Sequence, residues 1–449
     1  MTKIIAIMAI ISLPLIVFLI NQYPNRRHIA FVFLAALSLI PNIPTGFIYG
    51  WSSWDGIALG FGFPISFIIA LALVITTRER ISQTQFVSLF LIYFFCIFIS
   101  IFFSRMWLPS VFVLWQFLTT STIFLSVAME AHKSKIRDAV LMGLSLGLVF
   151  QAANSILQRA GGAAQASGTF GHQNILGLAV ELAWIPILGA ALSGRRKRVE
   201  YAGIVAGAVC VASSGSRGTM GIAAASVLIL IVFSLFRRVT LRKLRAVSAG
   251  LILIAVATPF ALSSLNSRFQ GQTYFVPDLE RLRFESAATK MAGENPMGIG
   301  ANNYVFVSNS EGYADGAGIA WQAANRSVPV HNAYLLARAE MGFFGQIVFV
   351  ILIVVPCLHG LRSAFKYRRS LDGDIAIGLA VALIANLAHN SYEFAVHTFY
   401  VQSLLFIVIG LLSASKRRMR MHDLLRRARL QRGRHLEGQA RAVSDHSGS

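Results

Sequence analysis

The chain has 449 residues, of which 55% are hydrophobic and only 13% charged, with 40 Lys and Arg against 19 Asp and Glu. Apolar runs recur from one end to the other, the profile of a polytopic membrane protein rather than a soluble domain. The net charge of +21 does not point to nucleic acid, because the basic residues sit in short clusters between the apolar runs.

In chain order, membrane spans are predicted near 4–20, 28–48, 57–76, 86–103, 107–128, 138–155, 174–193, 200–213, 219–236, 245–262, 333–358, 375–390 and 396–414. Most are long enough to cross a hydrocarbon layer of about 30 Å. The fold class is therefore all-α and polytopic, with about 12–13 transmembrane helices. The first run follows Lys3 and lacks a small-residue cleavage site, so it reads as a retained span. Cys96, Cys210 and Cys357 fall in separate runs with no metal-ligand spacing, and neither a disulfide framework nor a metal site is expected.

Alternate connections carry the positive charge: Arg26 and Arg27; Arg78 and Arg80; Lys133, Lys135 and Arg137; 195–198; Arg237 to Arg245; Arg362 to Arg369. The positive-inside rule makes these cytoplasmic, together with the Arg-rich tail 415–449. In that tail Met421, Leu424, Leu425 and Ala428 recur at helical spacing, which suits a helix on an anionic leaflet or a solvated topogenic tail. The opposite connections, including the long loop 263–329, face outward. The transmembrane domain is expected to occupy 1–414.

Unusual polar stretches collect on that outer side. In "VPVHNAYLLARAEMGFFG", a helix starting near Pro329 would align His331, Leu335, Arg338, Gly342 and Gly345 on one face, with the glycines allowing close helix approach. His331 could equally be a helix cap, and Arg338 the partner of a buried acid such as Glu181. In "SSGSRGTMG" the Arg217 guanidinium and neighbouring backbone amides could hold an oxyanion, although a plain interfacial turn has the same composition. The loop adds a helix whose apolar side is Leu279, Leu282, Phe284, Ala287, Ala288 and Met291, bearing Arg281 and Arg283 and ending in "ENPMGIG". "GTFGHQN" brings His172 and Asn174, and "HNSYEF" brings Glu393.

The order of these parts resembles the O-antigen ligase and polysaccharide polymerase family: Arg217 in a small-residue turn, Arg281 ahead of Pro296, Gly298 and Gly300, then His331 and Asn332 followed by Gly342 and Gly345. The resemblance covers about 165–410. It implies an integral glycosyltransferase that moves a glycan from undecaprenyl diphosphate to a sugar hydroxyl at the periplasmic face of a bacterial inner membrane. Under it, His331 is the expected catalytic base and Arg217, Arg281 and Arg283 bind the donor diphosphate. Asn332, Arg338, His172, Asn174 and Glu393 are supporting or acceptor-side residues. No metal or cofactor is expected, since guanidinium groups can stabilise a departing diphosphate. The implied partners are the lipid-linked donor, a glycan or lipid A core acceptor, the membrane and other polysaccharide assembly and export proteins, with no nucleic acid. The competing readings are an O-linked protein oligosaccharyltransferase of the same fold and a transporter of solutes or lipid-linked sugars. A transporter should show paired repeats and broken helices near mid-membrane, whereas the polar groups here gather on one side.

Overall fold

The computed structural model describes residues 2–43, 45–194, 198–245, 247–248 and 276–446. The bundle consists of α1 (Thr2–Gln22), α2 (Arg27–Leu37), α3 (Ile65–Thr76), α4 (Val87–Ser100), α5 (Trp107–Glu130), α6 (Ser134–Ala160), α7 (Gln173–Leu192), α8 (Arg198–Ser214) and α9 (Arg217–Arg237). After α10 (Val276–Glu294) it closes with α11 (Ala333–Lys366), α12 (Asp372–His389) and α13 (Phe399–His446). Among the described residues, 8 of these helices are long and apolar enough to cross a membrane, while α3 and α4 are apolar but shorter. The chain is thus an all-α, multi-pass membrane protein. The span expected at 245–262 lies almost wholly outside the described residues.

Two expected spans are shorter than their apolar runs. The run 28–48 is helical only to Leu37, and after Pro41 the chain turns into a strand, β1 (Gly46–Gly50). The run 57–76 opens as β2 (Gly60–Phe63), antiparallel to β1, and becomes helical only beyond Pro64. Proline lacks an N–H and disfavours helical backbone in the residue before it, so each run is divided there despite its uniform hydropathy.

The best-buried helices are α7, α12 and α13. Gly189 of α7 and Gly378 of α12 meet backbone to backbone: a Cβ on Gly378 would lie 3.0 Å from the Cα of Gly189. Such an approach lets two helices gain dispersion contacts where no hydrophobic driving force separates protein from lipid. At the end where α9 finishes and α12 begins, buried charges are paired. Asp374 holds Arg237 at 2.8 Å and Lys243 at 2.9 Å, Asp372 bonds Arg137 and Arg418, and Glu130 bonds Arg27.

At the other end, residues 276–329 form a lobe with its own core, in which Phe284, Ala287, Ala288, Met291 and Tyr304 pack against Leu336 and Ala339 of α11. The predicted apolar side of α10 is only partly covered, because Leu279 and Leu282 are 50% and 61% exposed. α11 begins at Ala333, not near Pro329, so His331 precedes the helix instead of starting a stripe along it. Gly342 interrupts α11 with φ 71° and ψ −176°, a conformation essentially confined to glycine. The turn after α10 docks onto this break. Ile299 N–H donates to the Ala339 carbonyl at 3.0 Å and Gly300 N–H to the Glu340 carbonyl at 2.9 Å. A Cβ on Gly342 would stand 2.5 Å from the Pro296 carbonyl oxygen, and one on Gly345 would strike the Met341 side chain of its own helix. The two glycines therefore serve a helix break and its docked turn, in place of the expected helix-to-helix face.

Gly342→Ala should destabilise the protein by at least ~1–3 kcal/mol from backbone strain alone, with the contact to Pro296 adding to it. Thermal unfolding in detergent should show a loss larger than that of an alanine at the exposed Gly221, where a Cβ meets nothing within 4 Å.

Candidate functional site

The polar residues at the lobe end are brought together by capping. Asn332 is the N-cap of α11, its Oδ1 accepting from Tyr334 N–H and Leu335 N–H, both at 3.1 Å. Ala333 N–H donates to the Asn390 carbonyl at 2.9 Å, which ties the start of α11 to the loop after α12. His331 is thereby held beside that loop. Its Nδ1 lies 3.6 Å from Glu393 Oε1, an ion-pair rather than a hydrogen-bond distance, and its ring packs edge-on to Phe284 at 5.9 Å.

Glu393 is the buried centre of the group, its side chain 1% exposed. Oε1 accepts from Phe394 N–H at 3.0 Å and Oε2 from Asn174 Nδ2 at 3.4 Å. Asn174 Oδ1 accepts in turn from Ser216 Oγ at 2.8 Å, linking the carboxylate to the turn that carries Arg217. Burial works to raise the Glu393 pKa, but His331 and the Phe394 amide more than offset it, so the group stays below the usual carboxylate range.

His172 lies at 3.9 Å from Glu393, yet its Nδ1 accepts from Asn174 N–H at 3.3 Å as the N-cap of α7. Burial lowers its pKa, against the pull of Glu393, which suits a neutral ring accepting that bond. His397, in the same loop as Glu393, is pushed down to about 4 by burial.

Tyr392 joins Arg281, and the turn that carries Arg217, to this centre. Arg281 lies over its ring at 5.7 Å. A Cβ on Gly218, the residue after Arg217, would sit 2.9 Å from its phenol oxygen, so glycine is what lets the Arg217 turn close on the ring. The Tyr392 hydroxyl is 2.9 Å from His389 Nε2, and His389 Nδ1 is 3.0 Å from Glu181 Oε2. Burial raises the Tyr392 pKa, so the phenol stays protonated. Arg217 is exposed at the first position of α9 and makes no ion pair with a described residue.

Seven of the sequence-derived residues thus converge: His331, Asn332, Glu393, His172, Asn174, Arg217 and Arg281. Two do not. Arg283 lies near Gly318, because two residues of α-helix turn it away from Arg281. Arg338 stands over Phe343 at 5.9 Å and not against Glu181, which His389 occupies. Tyr392 and the buried pair His389 and Glu181 were not singled out as site residues, although His389, Tyr392 and Glu393 stand three and four apart in the quoted "HNSYEF". Among the described residues, no three His, Cys, Asp or Glu side chains are grouped to hold a metal ion.

Arg217, Arg281, His331, Asn332 and the broken helix that follows lie on one continuous stretch of chain. Residues 202–350 match the family model of O-antigen ligase. The resemblance seen in Arg217, the Pro296 to Gly300 turn and His331 to Gly345 is borne out, since all of them fall inside the match. It supports membrane glycosyltransferase activity of the O-antigen ligase and polymerase type. His172, Asn174, Tyr392 and Glu393 lie outside the matched residues and reach the site only through folding. A comparison with curated proteins finds no match.

Glu393→Gln should destabilise the protein by about 1–3 kcal/mol at neutral pH, because charge-assisted hydrogen bonds are lost. A lowered folded-state pKa means this contribution is fully present above the unfolded carboxylate value of ~4.3 and fades as pH falls through the lower folded one. Melting curves of the two proteins should keep a constant separation from pH 7 to 5 and converge only in stronger acid.

Proposed function

We propose that the chain moves a glycan from an undecaprenyl diphosphate carrier to a sugar hydroxyl, as a polymerase of exopolysaccharide or O-antigen units or as an O-antigen ligase. The observation that carries this reading is the pairing of His331 with buried Glu393 beside Tyr392, whose ring lies under Arg281 and against Gly218 of the turn that carries Arg217. Glu393 faces Nδ1 of His331, which leaves Nε2 to take a proton from the acceptor. The acceptor oxygen attacks the anomeric carbon as the bond from that carbon to the diphosphate oxygen breaks. The proton passes to Nε2, and the electron pair leaves with the diphosphate.

Arg217 and Arg281 neutralise the departing diphosphate, each offering a planar fork of donors that an ammonium lacks. A single displacement inverts the anomeric centre and asks for no metal. Asn332 and Asn174 are positioning residues, the first by capping α11 and the second by linking Glu393 to the Arg217 turn. The site lies at the periplasmic face of the inner membrane in this reading, with the basic connections and the tail in the cytoplasm.

In nanodiscs with a native lipid diphosphate donor, an acceptor and EDTA, the wild type should form a linked product. His331→Ala should lower the rate by roughly 10²–10⁴-fold while donor still binds. Arg217→Lys, which conserves charge, should lose at least about tenfold. Full activity in both variants removes these residues from the mechanism, and transport of a solute or lipid-linked sugar without product favours the transporter.

The orientation has its own test. In a cysteine-free background, a cysteine replacing Trp321, which is 77% exposed at the lobe end, should react with an impermeant thiol reagent in intact spheroplasts. One replacing Leu371, 67% exposed at the other end, should react only after lysis. The reverse pattern overturns the orientation.

A further inference from the structure

At the end of the bundle remote from His331, the arginines do not spread evenly over the surface. Arg237 and Arg238 at the end of α9 face Arg368 and Arg369 of the connection between α11 and α12 across a concavity of about 430 Å³. A second hollow of about 340 Å³ shares Arg237 and Arg238 and adds Arg242, Lys243 and Asp374. Among the described residues, Asp374 is the sole carboxylate lining either hollow, and it is already bonded to Arg237 and Lys243. Arg238, Arg368 and Arg369 make no ion pair with a described residue, so among the described residues the positive charge facing the hollow is uncompensated.

Topogenic charge alone needs only position along the chain. It gives no reason to gather guanidiniums from two separate connections around one space, where they repel one another. A phosphate-bearing ligand removes that repulsion and matches the guanidinium fork. Both hollows fall within the usual size of ligand pockets.

The rim states which phosphate it is. Phe236, Val239, Leu241 and Leu371 stand beside the arginines and are 73%, 62%, 64% and 67% exposed. Large apolar side chains left uncovered next to a cationic hollow at a span end suit acyl chains below a phosphodiester headgroup. We infer that the hollow formed by Arg238, Arg368 and Arg369 is a binding site for an anionic phospholipid, separate from the His331 end of the molecule.

The test uses full-length protein purified in detergent and exposed to cardiolipin, phosphatidylglycerol or phosphatidylcholine, with bound lipid counted by native mass spectrometry. The wild type should retain the two anionic lipids in preference to phosphatidylcholine. The triple variant Arg238→Gln, Arg368→Gln, Arg369→Gln should lose that retention by at least about tenfold. A control carrying Arg78→Gln, Arg80→Gln and Arg362→Gln, none of which lines the hollow, should keep it, and the melting temperature of each variant checks its folding. Equal loss in the control, or no preference for anionic lipid in the wild type, overturns the site. Inorganic pyrophosphate supplies the other arm. If it raises the melting temperature of the wild type but not of the triple variant, and lipid retention is the same in both, the ligand is a soluble phosphate and the lipid assignment fails.

Discussion

An α-helix that breaks inside a bundle must find new donors for the carbonyls its own backbone abandons, because an unpaired carbonyl away from water is costly. In α11 the break at Gly342 leaves the carbonyls of Ala339 and Glu340, and the amides of Ile299 and Gly300 take them. This exchange attaches the 276–329 lobe to the bundle. It also sets the direction of the first turns of α11, hence the position of Asn332 and of His331 before it. The two glycine motifs, far apart in the chain, are the two sides of one joint.

From that joint the polar end is assembled by hydrogen bonds between segment ends more than by helix faces. Asn332 caps α11, His172 caps α7 and Ser216 caps α9, and each cap stands next to a residue of the site. Helix ends carry free backbone donors that polar side chains must satisfy. Gathering three helix starts around Glu393 therefore concentrates Ser, Asn and His there without any of them being isolated in apolar surroundings. The opposite end follows another rule, in which Asp372 and Asp374 neutralise arginines inside the bundle.

The helices were legible because a span must be apolar along its length, and hydropathy registers that directly. Their limits were legible only where local chemistry overrides hydropathy. Pro41 and Pro64 stand where two runs are divided between helix and strand, and Asn332 caps α11, whose first residue, Ala333, lies four residues beyond the expected start. His331, Arg217 and Glu393 could be singled out since each is polar in an apolar setting. That Glu393 faces His331 could not be read, because α11 and α12 come between them in the chain and only their antiparallel return joins the loops. Arg281 and Arg283 looked equivalent as composition, but helical geometry separates them, and Tyr392 was hidden by being an ordinary aromatic in a quoted motif.

Arg217 occupies the first residue of α9, after its Ser216 cap. The partial positive charge of a helix is concentrated at that end, so a guanidinium there opposes the dipole of its own helix, at a cost of about 0.3–1 kcal/mol. With an anion between them, the same two positive charges attract it together. Under the proposed chemistry, α9 is least at ease with its own first residue when no diphosphate is present, and the protein gives up some helix stability in exchange for affinity at that one turn.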